Sequence, residues 1–166
     1  MGKTATKSQL MLAQVALVLV MGFALAGLIW HGFSAEVRTR VVQGIIERPG
    51  GPMTFRFLLQ PTMAAIAAAI DGMKDARTGS SPYFWSLLTD PATRGERLNE
   101  GVISTARIIL LGLGMDVIYQ FIAFGTFFPG EAAIIAVLLA FVPYVLLRGP
   151  FSRIARHWLG RQKSGA

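Results

Sequence analysis

The chain contains no cysteine, so disulfides and thiol catalysis are excluded and the redox compartment is left unspecified. Charge is scarce. Asp, Glu, Lys and Arg make up 15% of the 166 residues, against roughly 25% in ordinary soluble domains. Histidine is nearly absent: His31 and His157 are the two present. The topology derived below puts them on opposite sides of a membrane, which excludes a paired-histidine metal or haem site within one chain. It also leaves no Ser/His/Asp triad with a histidine near a helix-buried serine. Gly112-Leu113-Gly114 lies inside an apolar run with no strand before it, so it is not a nucleotide motif. No catalytic, cofactor-binding or metal-binding residue is assigned, and no cofactor is expected.

What the chain does have is apolar length: 53% of its residues are hydrophobic. About 20 apolar residues at 1.5 Å rise cross the hydrocarbon core of a bilayer. Three runs qualify, over 10–30, 54–73 and 101–128, and a shorter fourth over 132–147 follows the turn Phe127-Phe128-Pro129-Gly130-Glu131. The expectation is an all-α polytopic membrane protein, a single membrane domain with four transmembrane helices plus amphipathic interfacial helices.

The net charge of +7 invites a nucleic-acid reading, and its distribution argues against one. With the N-terminus inside, Lys3, Lys7, Lys74, Arg77, Arg94, Arg97, Arg148, Arg153, Arg156, Arg161 and Lys163 are cytoplasmic. Arg38, Arg40, Arg48 and Arg56 fall outside, and Arg107 lies within a helix. Basic residues concentrated on one side obey the positive-inside rule. Both termini are therefore expected in the cytoplasm, and no nucleic-acid partner is needed to account for the charge.

The N-terminus has a competing reading as a secretory leader, with Lys3 and Lys7 as its basic region and Ala24-Leu25-Ala26 as a cleavage site. The apolar run exceeds the usual 7–15 residues and continues through Leu28, Ile29 and Trp30, which favours a retained anchor. The opening MGKTAT fits a loose myristoylation pattern, and its GKT echoes a phosphate loop. The first is short enough to arise by chance, and the second lacks the upstream glycine and preceding strand.

Two segments read as lying on the membrane. Over 35–48, Val37, Val41, Val42, Ile45 and Ile46 form an apolar stripe at helical spacing, ended by Pro49-Gly50-Gly51-Pro52. Over 151–160, Phe151, Ile154, Ala155, Trp158 and Leu159 form a second, with Arg153, Arg156 and Arg161 off the stripe. Such a helix beds its apolar side at the headgroup boundary and offers arginines to anionic lipid at the cytoplasmic face. The alternative is a helix packed against the inner loop. In that loop, Ser81-Pro82 and Asp90-Pro91 mark two helix starts. The second start is able to run on into the third span. Tyr83, Phe84 and Trp85 suit an interfacial aromatic belt.

Two charges fall inside the third run. Arg107 and Asp116 are nine residues apart, which at about 100° per residue places them on opposite faces, about 13 Å apart along the axis. They do not pair, and an unpaired charge in hydrocarbon costs several kcal/mol. Arg107 lies about two turns past Gly101 and leans toward the cytoplasm. Asp71, at the same depth on the second span, is its expected partner. Asp116 shares its face with Gln120, and no basic residue is expected at its depth. Gln60 and Thr62 are its candidate neighbours, together with the carbonyl freed by Pro61. A carboxyl buried without a cation tends toward neutral. Asp116 then reads either as a neutral hydrogen bond between helices or as a proton or ion carrier. The absence of a second acid at midplane favours the first.

Small residues four apart let helices approach: Gly22/Ala26, Ala64/Ala68, Ala65/Ala69, Ala132/Ala136 and Ala136/Ala140. Part of that surface is available to a protein partner or a second copy. The run QPTMAAIAAAIDGMKDARTGSSPYFW, with DVIYQF, FPGEAA and VPYVLLRGPFSRIAR, resembles a family of small multi-span bacterial inner-membrane proteins of no known activity, over roughly residues 54–156. The resemblance implies a bacterial inner membrane and no site residue. Three functions stay open: a non-catalytic accessory or scaffold protein, possible as a small oligomer; a small carrier or channel using Asp116 with Gln60 and Gln120; and a lipid-headgroup enzyme at the cytoplasmic face using Asp71, Asp75 or Asp90.

Overall fold

The structure, a computed structural model, describes residues 5–32, 39, 42, 43 and 54–164. The surface helix expected over 35–48 falls almost wholly outside the described residues. Among these the chain is helical, without strands. The helices are α1 (Lys7–His31), α2 (Arg56–Thr78), α3 (Tyr83–Thr89), α4 (Pro91–Phe124) and α5 (Pro129–Ser164).

Three of them, α1, α4 and α5, are long and apolar enough to cross a membrane. α2 has 23 residues, about 35 Å of helix at 1.5 Å per residue. Its length suffices, but Arg56, Gln60, Asp71, Lys74 and Asp75 dilute its apolar character. Local signals set the boundaries. Thr6 and Gln9 close a capping box at the start of α1. Asp90 caps α4 ahead of Pro91, and Gly125, in the left-handed region at φ 62, ends it. The second loop start therefore runs unbroken into the third apolar run.

α5 is also longer than expected. It passes Pro143 and Pro150 without a break, so the run 132–147 and the segment 151–160 are one helix rather than a span followed by a separate surface helix. A proline removes one backbone hydrogen bond, and packing holds the helix together across it: Phe151 and Ser152 lie against α2 at Gly72.

Contacts fix the directions. Asp75 meets Arg148, and Gly112 lies between Gln60 and Ala136. Phe23 packs edge-on against Phe127 at 5.4 Å. α1 and α4 thus run one way, and α2 and α5 the other. The interface of α2 with α5 is built on steps of four residues. Arg56, Gln60, Ala64, Ala68 and Gly72 are buried on α2; Ala132, Ala136, Ala140, Tyr144, Arg148 and Ser152 are buried on α5. Residues at i and i+4 share one face, and the alanines allow close approach. At Gly72 a Cβ would stand 2.9 Å from the Arg148 carbonyl oxygen, so glycine is a steric requirement there. The expected Gly22/Ala26 pair is not a contact: a Cβ at Gly22 would meet open space. α1 instead touches α5 at Gly27 and Gly130.

Candidate functional site

The α2 stripe carries alanine in its middle and charge toward both ends, at Arg56 and Asp75, while the α5 stripe carries its charge at Arg148. At one end, Arg148 is fully buried. Its Nε donates to Asp75 Oδ2 at 2.7 Å and its Nη2 to Asp75 Oδ1 at 2.9 Å, a two-pronged pair between α5 and α2. Nη2 also reaches Glu100 Oε1 on α4 at 2.9 Å. Nη1 donates to the Tyr144 hydroxyl at 2.7 Å, which donates to Asp71 Oδ2 at 2.8 Å; Ser104 Oγ donates to the same oxygen at 2.6 Å. The guanidinium lies 4.2 Å from the centre of the Tyr83 ring. Arg97 adds ion pairs to Asp75 at 3.5 Å and Glu100 at 3.4 Å.

One arginine therefore ties α2, α3, α4 and α5 together. Tyr83 is completely buried and donates to the Arg97 carbonyl at 2.6 Å. Burial pushes its phenol up to about 12, so it remains a donor at any physiological pH. Of the three aromatics expected in an interfacial belt, Phe84 and Trp85 are exposed and Tyr83 turns inward.

The second cluster corrects the expectation for Asp116. Arg56 Nη1 lies 2.6 Å from Asp116 Oδ1, and both side chains are buried. Gln120 Nε2 donates to Asp116 Oδ2 at 2.5 Å and to the Phe128 carbonyl at 3.2 Å, while its Oε1 accepts from the Phe128 amide at 2.5 Å. Asp116 thus has a cation at its own depth and is not a carboxyl satisfied by the carbonyl that Pro61 frees. Thr62 is exposed and donates to Leu58 O within its own helix. Gln60 faces the interior. Its amide Nε2 donates to the Ile108 carbonyl at 3.4 Å and fills the place where a Cβ on Gly112 would stand, while its Oε1 is buried without a hydrogen-bond partner. The available signal was spacing: Arg56 precedes Gln60 by four residues, as Asp116 precedes Gln120.

The expected Asp71–Arg107 bridge does not form. Asp71 is engaged by Ser104 and Tyr144. Arg107 is exposed and makes no ion pair or hydrogen bond with the described residues. Both nevertheless line one cavity of about 260 Å³. Of the residues assigned to lipid, Arg153 and Trp158 are exposed, and the Arg161 side chain lies outside the described residues. Arg156 is used inward, donating to the Ser80 carbonyl and to Ser152 Oγ. It ties α5 to the α2–α3 link, in keeping with the packing alternative. The Phe151–Leu159 stripe faces Ala69, Met73 and Arg77 of α2 across an open groove.

Chemically, the arrangement gives each of the carboxylates of Asp71, Asp75, Glu100 and Asp116 donors from another helix and so joins helices. No group of three or more metal-ligating side chains occurs among the described residues. Asp90 does not join Asp71 and Asp75 in a common site: its carboxylate accepts from the Ala92 amide and the Thr93 hydroxyl at the cap of α4. Comparison of the chain with protein-family models, curated proteins and solved structures finds no match.

Proposed function

We propose that the chain is a four-span, non-catalytic protein of the bacterial inner membrane, with both termini in the cytoplasm, acting as an accessory or scaffold subunit or as a small oligomer. The observation that carries this reading is that the carboxylates of Asp71, Asp75, Glu100 and Asp116 each take donors from another helix. Interior polarity arranged in this way joins helices, while large apolar side chains such as Val18, Ile29, Leu58, Ile122 and Leu146 are exposed on the outer surface. α2 supplies the fourth crossing. Its polar residues Arg56, Gln60 and Asp75 are buried within the bundle, so hydropathy understates its fitness for a bilayer. α1 has only 11% of its apolar window buried, leaving a broad face for lipid or a partner.

A carrier using Asp116 is the second reading. It draws on Gln60, whose buried carbonyl oxygen has no hydrogen-bond partner and lies one turn from Arg56 on the same stripe. Affinity purification in mild detergent tests the first reading. It is expected to recover a defined complex or a homo-oligomer, and a monodisperse monomer that conducts ions in liposomes would replace it with the second.

A further inference from the structure

An aspartate and an arginine that share a cavity ordinarily close on one another. Asp71 and Arg107 do not. Both lie on the wall of the 260 Å³ cavity between α1, α2 and α4, with Gln9, Ser104, and an apolar lining that includes Leu12 and Ile103. Both hydrogen bonds to Asp71 fall on Oδ2, so Oδ1 takes none from the described residues. Arg107 keeps all its donors. Gln9 closes the cap of α1 through Oε1, which leaves its Nε2 for another acceptor.

We propose that this cavity holds the headgroup of an amine-bearing phospholipid, its ammonium on Asp71 Oδ1 and its phosphate on Arg107 and Gln9. Three features select that occupant. The wall presents one anionic and one cationic group held apart, which complements a zwitterion and leaves a purely anionic headgroup facing Asp71. The volume is below the range of whole small-molecule sites, about 300–1,000 Å³, and suits a headgroup whose acyl chains remain outside. Gln9 lies within a turn of the start of α1, which sets the cavity near the end of a membrane-crossing helix, at headgroup depth. Leu12 and Ile70, each deeper than its polar neighbour Gln9 or Asp71, then face the first carbons of the chains. A primary ammonium supplies the N–H donors that a carboxylate accepts; a quaternary ammonium supplies none.

The inference rests on insertion of the bundle in a bilayer, which carbonate extraction checks separately for wild type and variants. The deciding measurement is native mass spectrometry of the delipidated full chain, titrated with phosphatidylethanolamine, phosphatidylcholine and phosphatidylglycerol carrying the same acyl chains. One phosphatidylethanolamine is expected to be retained, at least about tenfold more tightly than phosphatidylcholine. Arg107→Gln, at an exposed position, is expected to leave detergent unfolding unchanged and to weaken that retention by about tenfold or more. Asp71→Asn is expected to abolish the preference for the primary amine. Equal retention of the three lipids by wild type, or unaltered retention by Arg107→Gln, would overturn the proposal. Displacement by equimolar glycerophosphoethanolamine would assign the cavity to a water-soluble ligand and overturn it equally.

Discussion

Replacing Arg148 by methionine keeps much of its length and removes its charge. The wild-type guanidinium makes two bonds to Asp75, one to Glu100 and one to Tyr144. Asp75 is almost completely buried, and after the substitution its nearest cation is Arg97 at 3.5 Å. Removing one member of a buried ion pair costs about 3–5 kcal/mol, chiefly because the other charge stays behind. Glu100 is one-third exposed, so its share is screened and adds little. The expected loss for Arg148→Met is therefore about 3–5 kcal/mol. Arg148→Lys keeps the charge and forfeits the fork to Asp75 and the stacking on Tyr83, so its loss is expected at about 1–3 kcal/mol. Unfolding by SDS from mixed micelles, followed by tryptophan fluorescence, measures both. Equal losses for Lys and Met would show that geometry rather than charge matters. A loss below about 1 kcal/mol for Met would refute the view that this cluster holds the bundle.

At the opposite cluster, Asp116→Asn is expected to lose about 3 kcal/mol, because Arg56 stays charged and buried. The double variant with Arg56→Gln should recover part of that loss, and strictly additive losses in the same unfolding assay would contradict the pair. Reporter fusions at Ser34 and Ser81 are expected to give opposite signals, as are fusions at Gly130 and after Ala166; like signals across α2 would reduce the crossings. The Thr93 hydroxyl, together with the Ala92 and Thr93 amides, holds the Asp90 carboxyl below its ordinary value of 3.8. A depressed value means that the cap's contribution is present above the unfolded-state value and is lost as pH falls through the folded one. Acid unfolding below pH 3.8 should therefore soften in Asp90→Asn, and an identical acid limb in both proteins would remove the cap from the account.

The sequence by itself determined that the protein is helical and has helices long and apolar enough to cross a bilayer, because apolar run length answers directly to hydrocarbon thickness. It also placed the cap at Asp90 and the close-packing alanines at 64/68 and 132/136/140, since caps and small-residue steps are local features. It located Asp116 and Gln120 on one face through their i, i+4 spacing. Which charge meets which was decided only by tertiary structure. Arg148 and Arg56 read as flanking topology signals because each stands at the edge of an apolar run, and only the docking of α2 along α5 turns both inward. Asp71 and Arg107 matched in depth and sign, yet depth leaves rotation about the helix axis unspecified. Tyr144 and Ser104 stand where Asp71 turns, and Arg107 is left on the cavity wall. The physical reason is range: caps and periodicity act within a few residues, whereas Tyr144 and Asp71 are 73 residues apart in the chain.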